Sequence, residues 1–68
     1  MILVIDSVNG ELRQLAREGD ISSDDCEGVE QGYIRLIRWN EAKKTYEEAS
    51  VTIDDEENYE IDSWSKVA

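Results

Sequence analysis

YIRLIRWNEAKKTYEEASVTI, residues 33–53, decides the fold. Its two ends are rich in branched and aromatic residues, which suit a pleated, half-buried surface. The polar segment at 40–44 between them reads as a turn. If Asn40 pairs with Thr45, then Trp39 faces Tyr46, Arg38 faces Glu47, Leu36 faces Ala49 and Ile34 faces Val51. Each of these pairs is complementary in charge or in apolar character, so one register is strongly specified. The segment therefore predicts a β-hairpin with strands at 33–39 and 45–53.

Working outward, the acidic turn DDEEN at 54–58 leads to a last strand at 59–67. Pairing Ile53 with Tyr59 brings Val51 against Ile61 and places Trp64 across from Glu48. In the other direction, Gly32 is a natural helix stop, and ISSDDC at 21–26 is a helix start. Ser22 suits the N-cap, and Asp25 suits the return acceptor of a capping box. Ile21 and Cys26 occupy the staple positions, and Asp24 and Asp25 suit the positive end of the helix dipole. A helix over 23–31 turns Cys26 and Val29 inward.

The opening MILVID, residues 1–6, reads as a buried strand. Val8-Asn9-Gly10-Glu11 follows, and Asn-Gly is a strong signal for a two-residue type I′ turn. That turn puts Asp6 opposite Arg13 and Val4 opposite Leu15. The rival reading is a helix over 11–18 capped by Gly19; the hairpin is favoured. The plan is ββαβββ: an α+β domain over residues 1–68, with an antiparallel sheet of four to five strands and one short helix.

Composition narrows the function. The chain has 68 residues, a net charge of −10, one cysteine, no histidine and no proline. A body this small has a thin core and little room for a catalytic cleft. Without histidine, His-dependent triads, ordinary zinc sites and histidine pH switches are excluded. Cys26 is alone, so an intramolecular disulfide is excluded and the chain reads as cytoplasmic. DDEEN lacks the glycine and the ligand alternation of an EF-hand. Paired carboxylates could do glycosidase chemistry, but without a pocket that reading is set aside. Gly28 and Gly32 lack the spacing and the lysine of a phosphate loop. The expectation is a protein that is not an enzyme and takes no cofactor and no metal.

The acids are segregated. Residues 18–30 hold six acids and no base, and residues 47–62 hold eight acids and no base. Residues 31–46 hold four bases and one acid. Alternate carboxylates on a strand lie roughly 6.7 Å apart, near the spacing of successive phosphates on a nucleic-acid strand. Glu47, Glu48, Asp54, Asp55, Glu56, Glu57, Glu60 and Asp62 are therefore the candidate partner-binding residues, with Trp64 as an aromatic anchor. Asp20, Asp24, Asp25, Glu27 and Glu30 form a secondary block, although capping already accounts for Asp24 and Asp25. The plainer reading of such acids is a solvated surface. The patch Arg35, Arg38, Lys43 and Lys44 is too small and too interleaved with acids to bind DNA, and an acidic surface repels membranes, so neither is an expected partner.

In its length, its carboxylate blocks EGDISSDDCEGVE and EEASVTIDDEENYEID, and its lack of catalytic residues, the chain resembles a class of small acidic inhibitors. These are encoded by phages and mobile elements and act against host defence; they include anti-CRISPR proteins and other DNA mimics. They share no common fold, so the resemblance implies a mode of action and no residue-level correspondence. It implies a non-enzymatic inhibitor, monomer or homodimer, that occupies the nucleic-acid groove of a basic nucleic-acid-binding protein. The alternative is a structural or adaptor protein that binds a partner, or itself, through an aromatic sheet face bearing Trp39, Tyr46, Ile37 and Trp64.

Overall fold

The computed structural model describes residues 1–67. Strands β1 (Ile2–Asp6) and β2 (Glu11–Leu15) form a first hairpin. A 3-10 turn (Glu18–Asp20) and helix α1 (Ser23–Gln31) follow. Strands β3 (Ile34–Asn40), β4 (Thr45–Ile53) and β5 (Tyr59–Lys66) complete the chain. The five strands make one antiparallel sheet in the order β2-β1-β3-β4-β5. The fold is α+β in the expected element order, with the 3-10 turn added before the helix.

Helix α1 starts where its caps dictate. The Ser22 side chain accepts a hydrogen bond from the Asp25 backbone N–H at 3.1 Å, which satisfies one of the open donors of the first turn. At the other end Gly32 takes φ 94°, a left-handed conformation suited to glycine. Its N–H donates to the Gly28 carbonyl, and so does the N–H of Tyr33. The chain thereby reverses straight into β3. The helix seats on that strand through Gly28, where a Cβ would stand 2.5 Å from Ile34 Cδ1.

The core lies between α1 and one face of the sheet. Val4 and Leu36 are fully buried at its centre, with Ile2, Ile34 and Ala49 around them. Leu15, Ile21, Val29, Tyr33, Ile61 and Trp64 close the edges. The β3–β4 register is the expected one: Asn40 pairs with Thr45, Trp39 with Tyr46 and Arg38 with Glu47. That ladder runs only as far as Ile37–Glu48. The expected Ile34–Val51 and Leu36–Ala49 pairs lie beyond it, next to the irregularity in β4 described below.

Three expectations are corrected. First, β1 and β2 pair Asp6 with Glu11, Val4 with Arg13 and Ile2 with Leu15, two positions from the expected register. The loop holds four residues instead of two. The cause is Asp6, whose carboxylate accepts from the backbone N–H groups of Val8 and Asn9 and from the Asn9 side chain, each at 3.0 Å. Gly10 alone in this loop has positive φ, whereas a type I′ turn needs it at two positions. A shift of two keeps every side chain on its expected face.

Second, the Asp25 carboxylate does not serve as the acceptor of a capping box. It is buried and accepts from the Arg13 guanidinium at 2.6 Å. An ion pair offers a buried carboxylate more than a single backbone N–H does.

Third, β4 and β5 change register at Ser50/Val51. Ile53 pairs with Tyr59 and Val51 with Ile61 as expected, but Ser50 then pairs with Ser63 and Ala49 with Trp64. Asp62 is the extra residue of a bulge. A one-residue slip exchanges the two faces of a strand, so Trp64 lies opposite Ala49 on the helix side instead of opposite Glu48.

Candidate functional site

The two acidic blocks of the sequence meet in space. In the β4–β5 turn, the Asp54 side chain accepts from the backbone N–H groups of Glu56 at 2.9 Å and Asn58 at 2.8 Å. Asp54 is therefore consumed in building the turn. Asp55, Glu56 and Glu57 are left on its outside, exposed and without an ion pair among the described residues. Glu57 takes φ 64°, a conformation that glycine or asparagine adopts more cheaply.

Tyr59, the first residue of β5, shows what the turn faces. Partial burial pushes its phenol pKa up, and the negative charges of Glu27, Glu30 and Glu57 push it further. Two of these acids come from α1 and one from the turn. Charges from helix and turn thus act on one ring, and because α1 packs against β4 and β5 the 18–30 and 47–62 blocks lie side by side as one band. Asp24 is exposed on the first turn of the same helix.

The remaining candidates divide. Glu60 pairs with Thr52 on the sheet face opposite the helix, and Asp62 sits in the bulge of the edge strand β5. The expected regular Glu60–Asp62 spacing is broken there. Glu47 is buried, and Arg38, donating at 3.0 Å, holds its carboxyl below the usual range. Glu48 sits on the face away from the helix in a two-pronged pair with Arg35, at 2.7 and 3.0 Å, which lowers its pKa. Asp20 is paired with Arg17 at 3.5 Å. Asp25 is buried with Arg13.

Trp64 is tied down as well. Its indole N–H donates to Glu18 at 2.6 Å, and the Arg38 guanidinium lies 4.2 Å from the ring centroid. With Glu47 behind Arg38, this stack links β4, β3, β5 and the 3-10 turn. Trp64 works as part of the core edge, while Trp39 and Tyr46 stack edge-on at 4.9 Å on the far side of the sheet. The expected grouping of Trp64 with Trp39, Tyr46 and Ile37 therefore does not form.

Pairing concentrates the charge. Among the described residues, five of the seven basic side chains engage carboxylates. The acids left without a cation include Asp24, Glu27 and Glu30 of the helix and Asp55, Glu56 and Glu57 of the turn. The sequence places Glu27 and Glu30 in a secondary block, far along the chain from the DDEEN turn. The packing of α1 against β5 that brings them near Tyr59 is tertiary, and the carboxylate blocks alone carry no signal for it.

Cys26 is buried at the inner face of α1, where desolvation and the Asp25 charge raise its thiol pKa. That leaves little thiolate for nucleophilic chemistry. No helix among the described residues is long and apolar enough to cross a membrane. Comparison with protein-family models, with curated proteins and with solved structures finds no match to this chain.

Proposed function

We propose that this chain is a non-enzymatic inhibitor acting in the cytoplasm. Its acidic band occupies the nucleic-acid groove of a basic protein, such as a CRISPR effector or a host nuclease. The observation that carries the reading is that α1 packs against β5, so that the charges of Glu27 and Glu30 act on Tyr59 together with that of Glu57. It joins two separate carboxylate blocks into one uncompensated surface, while most of the cations are spent elsewhere. A basic groove meeting this band gains the charge complementarity and counterion release that it gains from phosphates. Glu57 adds support: a carboxylate stands at a left-handed backbone position where glycine would strain the turn less.

The test is capture of basic proteins from a bacterial lysate, elution along a salt gradient, and competition with duplex DNA. The expected partner elutes at moderate salt and is displaced by DNA. Joint reversal of the band by Glu27→Lys, Glu30→Lys and Glu57→Lys is expected to abolish capture, while Glu60→Lys with Asp62→Lys weakens it. Capture that survives high salt, or that the triple reversal leaves intact, would remove the basis for the proposal. Glu57→Gly sharpens the test, because it should stabilise the fold by about 1 kcal/mol by relieving the backbone and yet weaken capture.

A further inference from the structure

The sheet has a second face that α1 does not cover. Register places Leu3 and Ile5 of β1, Leu12 of β2, Ile37 and Trp39 of β3, and Tyr46 of β4 on it. Leu12 is 66% exposed, Tyr46 55% and Trp39 45%. Beside Met1, Leu3, Ile37, Trp39 and Tyr46 line a shallow depression of about 320 Å³. Strand β1 is apolar on both faces, the pattern of a strand covered on both sides. Helix α1 covers only one.

Charge selects the occupant. On the outward positions of β1 to β4 the charged side chains are Arg35 and Glu48, one of each sign and paired. At the rim, Glu41 takes the indole N–H of Trp39 and the ammonium of Lys44. The part of this face formed by β1 to β3 and Tyr46 therefore carries little net charge on a chain of net charge −10, while Glu60 adds a carboxylate at the β5 edge. A basic partner is drawn to the acidic band instead. A second copy is repelled by most of the surface but can approach over β1 to β3, away from the Glu60 edge.

The size also fits. A stable interface buries about 800 Å² on each partner. The chain exposes 4775 Å² in all, and its two longer dimensions are 35 and 27 Å. Two such sheets stacked about 10 Å apart would form a helix–sheet–sheet–helix sandwich. With the twofold axis of such a dimer passing beside the Arg35–Glu48 pair, each Arg35 would meet the copy's Glu48 and the pair would be exchanged between chains.

We infer that the uncovered sheet face is the interface of a homodimer, formed by two copies packed face to face about Trp39, Tyr46 and Leu12. The inference is independent of the inhibitor reading. If both hold, the dimer carries its helices, and with them its acidic bands, on its two outer sides.

Sedimentation velocity across the micromolar range tests it. The expected species is twice the 7.8 kDa chain mass, and added salt tightens it by screening repulsion between the copies. Leu12→Glu and Tyr46→Glu, both at exposed positions, should leave the circular dichroism and melting of the chain intact and weaken association at least tenfold. Arg35→Glu and Glu48→Arg should each weaken it alone, and an equimolar mixture of the two variants should restore it. A monomer at every concentration overturns the inference. A dimer indifferent to Leu12→Glu and Tyr46→Glu, or a mixture no tighter than either variant alone, overturns it as well.

Discussion

The two faces of the sheet invert the usual distribution of polarity. The layer between α1 and the sheet holds three buried acids, Asp25 on the helix and Asp6 and Glu47 on the strands, each hydrogen-bonded, and no buried polar side-chain atom among the described residues lacks a partner. The opposite face holds Leu12, Trp39 and Tyr46 in the open. The difference teaches where this chain can tolerate charge. Under the helix, a carboxylate is kept only where an arginine or a turn satisfies it. On the bare face, the outward positions of β1 and β2 carry no charge although water is at hand, and charge enters only as the Arg35–Glu48 pair and as Glu60 at the β5 edge. A surface serving solubility alone would have the reverse preference.

The sharpest way to break this comparison is to cut one apolar side chain from each face. Leu36→Ala should cost about 2–5 kcal/mol, because a fully buried leucine leaves a cavity. Leu12→Ala should change stability by less than about 0.5 kcal/mol in dilute solution. Urea unfolding of both variants checks the contrast, and equal losses would show that the bare face is part of the folding core.

The next contrast removes one cation from each face. Arg13→Ala strands the Asp25 carboxylate and should cost about 2–3 kcal/mol, toward the low end for a broken buried pair because Arg13 is 42% exposed. Arg35→Ala opens a pair that water already reaches and should cost less than about 1 kcal/mol. The same unfolding experiment orders the two.

The seat of the helix gives a smaller effect. Gly28→Ala gains helix propensity but drives a methyl into Ile34, so a net loss of about 1–2 kcal/mol is expected. A more stable variant would mean that α1 sits farther from β3 than the close approach implies.

The smallest effect is a pH signature. Hydrogen bonds from Asn9, backbone first and then side chain, hold the Asp6 carboxyl below its ordinary pKa. A depressed folded-state pKa contributes stability that is fully present above the unfolded value, near pH 4, and is lost as pH falls through the folded value. The stability gap between the wild type and Asp6→Asn should therefore be constant at neutral pH and shrink below about pH 4. A gap that stays constant into that range would show that the loop is held without the ionised carboxylate.

Much of the fold was legible because its signals are local. Ser22 and Gly32 bound the helix through bonds to residues three or four positions away. Asn40 and Thr45 set their register through a short turn and matched cross-strand pairs. The β1–β2 register was misread because Asn9-Gly10 is a strong local signal that a stronger one, the Asp6 carboxylate gathering three N–H groups, overrides. The place of Trp64 was misread because nothing in SWSK marks a bulge. The acidic residues were found in the sequence, but their ranking was not. Whether a carboxylate is free depends on which arginine reaches it.

The sequence by itself determined the element order, the helix and its caps, the central register and the segregation of charge. Each of these follows from residues that are neighbours along the chain or across one turn. The tertiary structure alone decided that Trp64 belongs to the core edge, that Asp25 and Glu47 are spent on arginines, that Glu27 and Glu30 join Glu57 around Tyr59, and that one sheet face stays bare. These outcomes depend on a single-residue slip and on contacts between distant segments. Such contacts are settled by competition for a limited number of cations and a single covering helix.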